Sequence, residues 1–189
     1  MAGNLTAAQA LFETIKSLGP QIEQAASIIQ NALLTGGKLL CCGNGGSAAD
    51  SAHFTAEIAG RYIRERPGYP AIDLTSNNSL TTALINDYPP QEIFARHVRA
   101  VGAKGDVLAG LTTSGNSANV ILAFEMAKKR GLHTIAFLGR DGGQCKGLAD
   151  VEFIIPSDIT ARIQECHLLL YHTICELIDP ALTKNAQAD

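Results

Sequence analysis

Apolar side chains recur at helical spacing through residues 5–18 and again through 21–34, with Gly19-Pro20 between them, which predicts a helical hairpin at the N-terminus. Beyond it the pattern changes to short continuous apolar runs separated by longer amphipathic stretches. Runs at 38–42, near 71–75, and at 106–112, 133–139 and 151–156 read as five buried strands. Helical spacing fills the intervals at 47–62, about 78–85, 90–101 and 117–131, the last stopped by Gly131. A short helix is expected between the last two strands, and a long final helix over about 159–179 with Pro180 marking its end. Strands that alternate with helices and are apolar throughout predict a parallel sheet covered on both faces: an α/β fold, a three-layer α-β-α sandwich with right-handed crossovers. The whole chain, 1–189, is expected to be one domain, with helices over 1–35 in front of an α/β core over 36–189.

Composition narrows the class without changing the fold. Hydrophobic residues make up 46% and charged residues 17%, as in globular proteins. A chain of 189 residues buries enough surface to fold without a metal or disulfide scaffold. Fifteen Lys and Arg against 18 Asp and Glu give a net charge of −3, which excludes nucleic-acid binding by bulk charge. No Trp and 5% aromatics argue against base-stacking platforms. Cys41, Cys42, Cys145, Cys166 and Cys175 are odd in number and form no CxxC pair, so they read as small buried hydrophobes in a reducing compartment. The N-terminus has no basic start followed by an apolar core, and no apolar stretch reaches the roughly 20 residues that span a bilayer. A cytoplasmic protein that contacts neither membrane nor nucleic acid is expected.

In open parallel sheets ligands bind beyond the carboxyl ends of the strands, so chemistry is sought in the turns found there. Cys42-Gly43-Asn44-Gly45-Gly46-Ser47 follows a strand and opens a helix. Its glycines let backbone approach a ligand, the helix N-terminus offers free N–H groups, and Ser47 can cap the helix or donate a hydroxyl. The lysine of a P-loop is missing, which disfavours a nucleoside triphosphate. Thr112-Thr113-Ser114-Gly115-Asn116-Ser117 occupies the equivalent place after the third strand. Its hydroxyls form a neutral, donor-rich cup able to hold a phosphate monoester without lysine. The two loops together point to a phosphorylated small molecule.

A third group is divided between two helices. His53 and Glu57, four residues apart, share a helix face. Gln164 and His172, eight apart, lie about 80° from one another around the final helix and can look into one pocket. Histidine with carboxylate gives either a divalent-metal site or an acid–base pair. His167 competes with His172, and spacing does not separate them. Asn86-Asp87, before Tyr88-Pro89-Pro90, can cap the following helix or bind sugar hydroxyls. Arg61, Arg64 and Arg66 read most simply as a solvated loop.

CGNGGSAADSAHFTAEIAGRY, RPGYPAI, IND, GLTTSGNSAN and ARIQECHLLLYH, in that order, resemble the sugar-isomerase (SIS) family and within it the phosphoheptose isomerases. The resemblance runs from about residue 38 to 179, and it implies a flavodoxin-like sandwich whose N-terminal helices help build a homotetramer with active sites between subunits. It implies conversion of sedoheptulose 7-phosphate to D-glycero-D-manno-heptose 7-phosphate, early in the route to the ADP-heptose of lipopolysaccharide core. By motif, Asn44, Gly45, Gly46 and Ser47 line the substrate, Thr112, Thr113, Ser114 and Ser117 hold its phosphate, and Asn86 and Asp87 contact the sugar. His53, Glu57, Gln164 and His172 match the family's zinc positions, one ion per subunit, and this match selects His172 over His167. With Glu57 as base, His172 as acid and Gln164 positioning the substrate, the residue types suit an enediol reaction. One tetrameric relative binds the replication initiator instead; it shares both loops but lacks the glutamate matching Glu57.

Overall fold

The computed structural model describes residues 2–186. Helix α1 (Ala2–Ile15) passes through a 3-10 turn at Lys16–Leu18 into α2 (Gly19–Leu34), so the expected break at Gly19-Pro20 is the first turn of α2, where proline's missing N–H costs nothing. Then follow β1 (Leu39–Gly43), α3 (Gly46–Ala59), β2 (Ala71–Asp73), α4 (Asn78–Asp87), α5 (Ile93–Val101), β3 (Val107–Thr112), α6 (Ala118–Arg130), β4 (His133–Gly139), β5 (Val151–Ile155) and α7 (Thr160–Ala186). The short helix expected between β4 and β5 is a 3-10 turn at Gly143–Cys145.

All five strands pair in parallel in the order β2-β1-β3-β4-β5. Successive residues of each strand point to opposite faces, and the two faces build separate cores. Leu39 and Cys41 of β1, with Ile135 and Phe137 of β4, pack beneath α2, α3 and α7. Leu40, Cys42, Ala136 and Leu138 pack on the other face against Phe94 of α5 and Phe124 of α6. At Gly110 in β3 a Cβ would lie 2.5 Å from the Phe124 ring, so a glycine is what lets α6 settle onto the sheet. All five cysteines are free and buried, as expected. Burial pushes the Cys145 and Cys166 thiols up to about 11, which keeps them inert.

Helix α3 stops at Ala59 rather than 62, the stretch from Pro90 to Glu92 is a 3-10 turn ahead of α5, and two further boundaries differ for physical reasons. Strand β2 ends at Asp73 rather than 75, because the Asp73 carboxylate accepts from the Thr75 N–H (3.0 Å) and turns the chain. Helix α7 runs through Pro180 to Ala186. The proline removes one helical donor, but Leu182 beyond it is fully buried, and the Thr183 hydroxyl donates to the Asp179 carbonyl at 2.7 Å. Burial of the following turn outweighs the lost bond.

Candidate active site

The sheet delivers both loops to the same edge, since Gly43 at the end of β1 is in register with Leu111 of β3. Gly45, at φ +56°, is the N-cap of α3, so Ser47 lies inside the first turn, buried, rather than capping it. Asn44 and Asn119, the latter in the first turn of α6, exchange amide bonds of 2.9 and 2.8 Å and tie the two loops together. Between them lies a cleft of about 100 Å³ lined by Asn44, Ser47 and Thr112, Thr113, Ser114 and Ser117. The Thr112 hydroxyl is 2.9 Å from that of Ser117 and 3.4 Å from that of Ser114. Hydroxyls thus crowd a small polar cup at a helix N-terminus, suited to an anion. Gly115, at φ +66°, closes the cup so tightly that a Cβ would lie 2.0 Å from the Gly142 carbonyl oxygen.

Three residues of the third group assemble, without Gln164. His53 Nε2 lies 3.0 Å from Glu57 Oε1 across one turn of α3, and 3.4 Å from His172 Nε2 on α7. The His53 and His172 rings meet edge to face, 4.9 Å between centroids. One ligand atom from each of the three residues lies within 4.8 Å of the others. Zinc held at about 2.0–2.1 Å by tetrahedral ligands would set those ligands about 3.3 Å apart, so two imidazoles and a carboxylate at these spacings fit zinc in both chemistry and distance. Gln164 stands over the other loop: a Cβ at Gly46 would lie 2.3 Å from its Nε2.

Geometry separates the two histidines that spacing left open. His167 is fully buried, its Nε2 3.1 Å from the Leu138 carbonyl oxygen, facing the sheet. Burial drives its pKa down to about 4, the Leu138 carbonyl opposing only in part. His172 faces His53 and Glu57; burial first, and His53 second, push its pKa down, while Glu57 opposes. It is therefore a neutral imidazole at neutral pH, the form that ligates metal.

Asn86 and Asp87 end α4 on the surface, where the Asn86 amide donates to the Asp87 carboxylate at 2.8 Å. Asp87 does not cap the next helix: the 3-10 turn that follows starts at Pro90, with Pro89 as N-cap. Thr81 and Ile85 are the α4 residues that line the cleft beside the glycine loop, with Asn44, Gly45 and Asn119. Arg66 corrects the solvated-loop expectation, because its side chain is 1% exposed and pairs with Asp179. Arg61 does remain on the surface, paired with Glu65 at 3.3 Å.

Three residues not singled out from the sequence join the site. Tyr171 places its hydroxyl 3.0 Å from His53 Nδ1, fixing that ring while leaving Nε2 toward Glu57; burial keeps the phenol protonated by pushing its pKa up. Asp50, one turn before His53, has a buried carboxylate oxygen with no hydrogen-bond partner among the described residues, and desolvation raises its pKa to about 6 despite His53. Asn119 ties the loops. Tyr171 adjoins His172 in sequence, where a helix ordinarily separates side chains by about 100°, so spacing gave no signal.

An α/β sheet with a hydroxyl cup at its loop edge and an acid–base cluster between α3 and α7 defines the class of sugar-phosphate domain, and the comparisons agree. The SIS domain profile matches residues 5–139. A phosphoheptose isomerase of Helicobacter pylori (strain P12) is 48% identical over 171 residues, covering 90% of this chain and 89% of that one. The solved phosphoheptose isomerase GmhA of Neisseria gonorrhoeae superposes with a TM-score of 0.88 at 42% identity, over 95% of this chain and 96% of that one. A phosphoheptose isomerase from Francisella tularensis gives 0.89 at 40% identity, over 95% of both chains. The chain belongs to the SIS-domain family, among the phosphoheptose isomerases.

Proposed function

We propose that this chain is an aldose–ketose isomerase converting sedoheptulose 7-phosphate to D-glycero-D-manno-heptose 7-phosphate, early in ADP-heptose and lipopolysaccharide-core synthesis. The observation that supports it most is the meeting of His53 and Glu57 of α3 with His172 of α7, in a chain that also carries a hydroxyl cup suited to a phosphate. The phosphate sits among Thr112, Thr113, Ser114 and Ser117, with Asn44, Gly45, Gly46 and Ser47 along the sugar. Glu57 takes the proton from C1 of the ketose as O2 is protonated, giving the enediol; return of the proton to C2, with loss of the O1 proton, yields the aldose. His172, held neutral, gives a proton to O2 and takes one from O1, so the imidazole ends as it began. Gln164 positions the chain of hydroxyls, and Asn86 and Asp87 reach the sugar.

His53, Glu57 and His172, with Gln164 as a fourth ligand, would hold one zinc ion per subunit. Zinc there would either polarise the ketose oxygens as a Lewis acid or hold the site together structurally, and because a metal-bound carboxylate is a weaker base, the ligand and base roles of Glu57 compete. The chain acts as a single domain over 1–189 and works as a cytoplasmic homotetramer, with residues 1–35 in its assembly and active sites between subunits. Exposed Leu168, Leu169 and Leu177 on α7 support that assembly. Among the described residues no helix is long and apolar enough to cross a membrane. The comparisons give no support to the initiator-binding alternative.

The test is turnover of sedoheptulose 7-phosphate by the wild type, with and without added zinc, beside Glu57→Gln. Wild-type turnover that falls by orders of magnitude in the variant supports the reading. A variant with normal turnover refutes Glu57 as base; a folded, tetrameric wild type without turnover under either condition refutes the isomerase.

A further inference from the structure

Helix α3 ends at Ala59, and its last carbonyls have no partner within the helix. Arg66 supplies one. Its Nη2 donates to the carbonyl of Glu57 at 3.0 Å, and its Nη1 lies 3.2 Å from the carbonyl of Ile58 and 3.1 Å from those of Gly60 and Pro67. The remaining donor, Nε, reaches Asp179 Oδ1 on α7 at 3.1 Å. The other Asp179 oxygen accepts the Arg64 backbone N–H at 2.9 Å. Both side chains are nearly sealed from water, at 1% and 3% exposure. One guanidinium therefore holds the carboxyl end of α3 to α7, in a planar fork that a lysine cannot reproduce.

The placement matters for function. The carbonyl of Glu57 is bonded to Arg66 while its side chain is in the site, and Asp179 lies two turns beyond His172 on the same helix. We propose that Arg66, through Asp179, is a positioning residue that sets the spacing of His53 and Glu57 against His172. This rests on the isomerase reading for its functional consequence. The phosphate cup takes most of its hydroxyls from the loop between β3 and α6 and only Ser47 from α3, in the first turn at the far end from the clamp, so its affinity for substrate should depend little on Arg66.

The test uses full-length Arg66→Lys and Asp179→Asn, with kinetics normalised to the folded fraction measured by near-UV circular dichroism, and a crystal structure of each folded variant. We expect kcat per folded subunit to fall at least tenfold in Arg66→Lys while KM stays within about twofold, and the His53–His172 nitrogen separation to widen by an ångström or more from 3.4 Å. A smaller change in the same direction is expected for Asp179→Asn, which keeps an acceptor for Nε; this variant decides the matter if the lysine variant does not fold. A purely structural role would lower the folded fraction and leave kcat per folded subunit unchanged, and that result, or an unchanged separation, overturns the proposal. Absence of wild-type turnover would sink the isomerase reading instead, and the separation in the variant structures would still judge the clamp.

Discussion

His167 offers a stability test whose size follows from its surroundings. The ring is fully buried, bonded through Nε2 to the Leu138 carbonyl, packed edge-on to Phe137 at 5.8 Å, and its Nδ1 has no partner among the described residues. Such a site admits the neutral imidazole only, and burial lowers the pKa from 6.5 to about 4. The folded pKa is depressed, so the unfolded chain binds more protons between these two values. Stability from the neutral ring is therefore complete above pH 6.5 and is lost as pH falls toward 4. With those two values the loss at pH 4.5 is about 2.5 kcal/mol, a large share of an ordinary domain's stability. Asp50 works with the opposite sign, since its carboxyl is raised to about 6 in the folded protein and taking up a proton relieves it. A single pH–stability curve mixes the two.

His167→Gln isolates the histidine, because it keeps a donor for Leu138 and does not titrate. Urea unfolding of wild type and variant at fixed protein concentration from pH 7 to 4.5 gives the difference directly. The variant should be less stable at pH 7, by about 1–2 kcal/mol for the imperfect replacement, and should gain on the wild type by about 2.5 kcal/mol at pH 4.5. A difference that stays constant across this range would refute the burial argument for His167.

Other substitutions separate fold from site. Gly46→Ala places a methyl where the Gln164 amide now lies, and because that amide is the end of a flexible side chain it can swing away; thermal stability should change little while turnover drops at least tenfold, and a fully active variant would remove Gln164 from the reaction. Gly115→Ala combines a left-handed φ of +66° with a contact against the Gly142 backbone, which cannot swing away. Urea unfolding should show a loss of more than about 2 kcal/mol. Ser114→Ala removes one hydroxyl from the cup, so steady-state kinetics should show KM raised by roughly tenfold with kcat within twofold; an unchanged KM would count against the cup.

The sheet was legible because its central strands β1, β3 and β4 are apolar on both sides, and the alternation that sends Leu39 and Leu40 to opposite cores is inherent in the strand period. The loops were legible because Gly, Ser and Thr between a strand and a helix leave few other readings. Period failed where a single residue's surroundings decide the outcome. Nothing in the spacing distinguishes His172 from His167, since both lie on α7, and only the direction of the sheet sends one to Leu138 and the other to His53. Arg66 looked solvated beside Arg61 and Arg64 because the buried acceptor that draws it in, Asp179, is 113 residues away. Pro180 looked like a stop because the cost of a proline is local, while the burial that outweighs it comes from the tertiary structure.

The assembly proposed above also suits the proposed chemistry. An enediol is protected only where water is kept from it, and water weakens every electrostatic contact the site makes. Yet in a single chain the His53 side chain is 43% exposed and that of Glu57 20%. Leu168 and Leu169 lie one turn before His172, at the four- and three-residue spacings that share its helix face, and both are exposed. An apolar rim therefore borders an acid–base cluster that one subunit leaves wet. A second copy seated on this face of α7 would bury the leucines and exclude water from the histidines in the same step, so the proposed assembly and the proposed chemistry support each other.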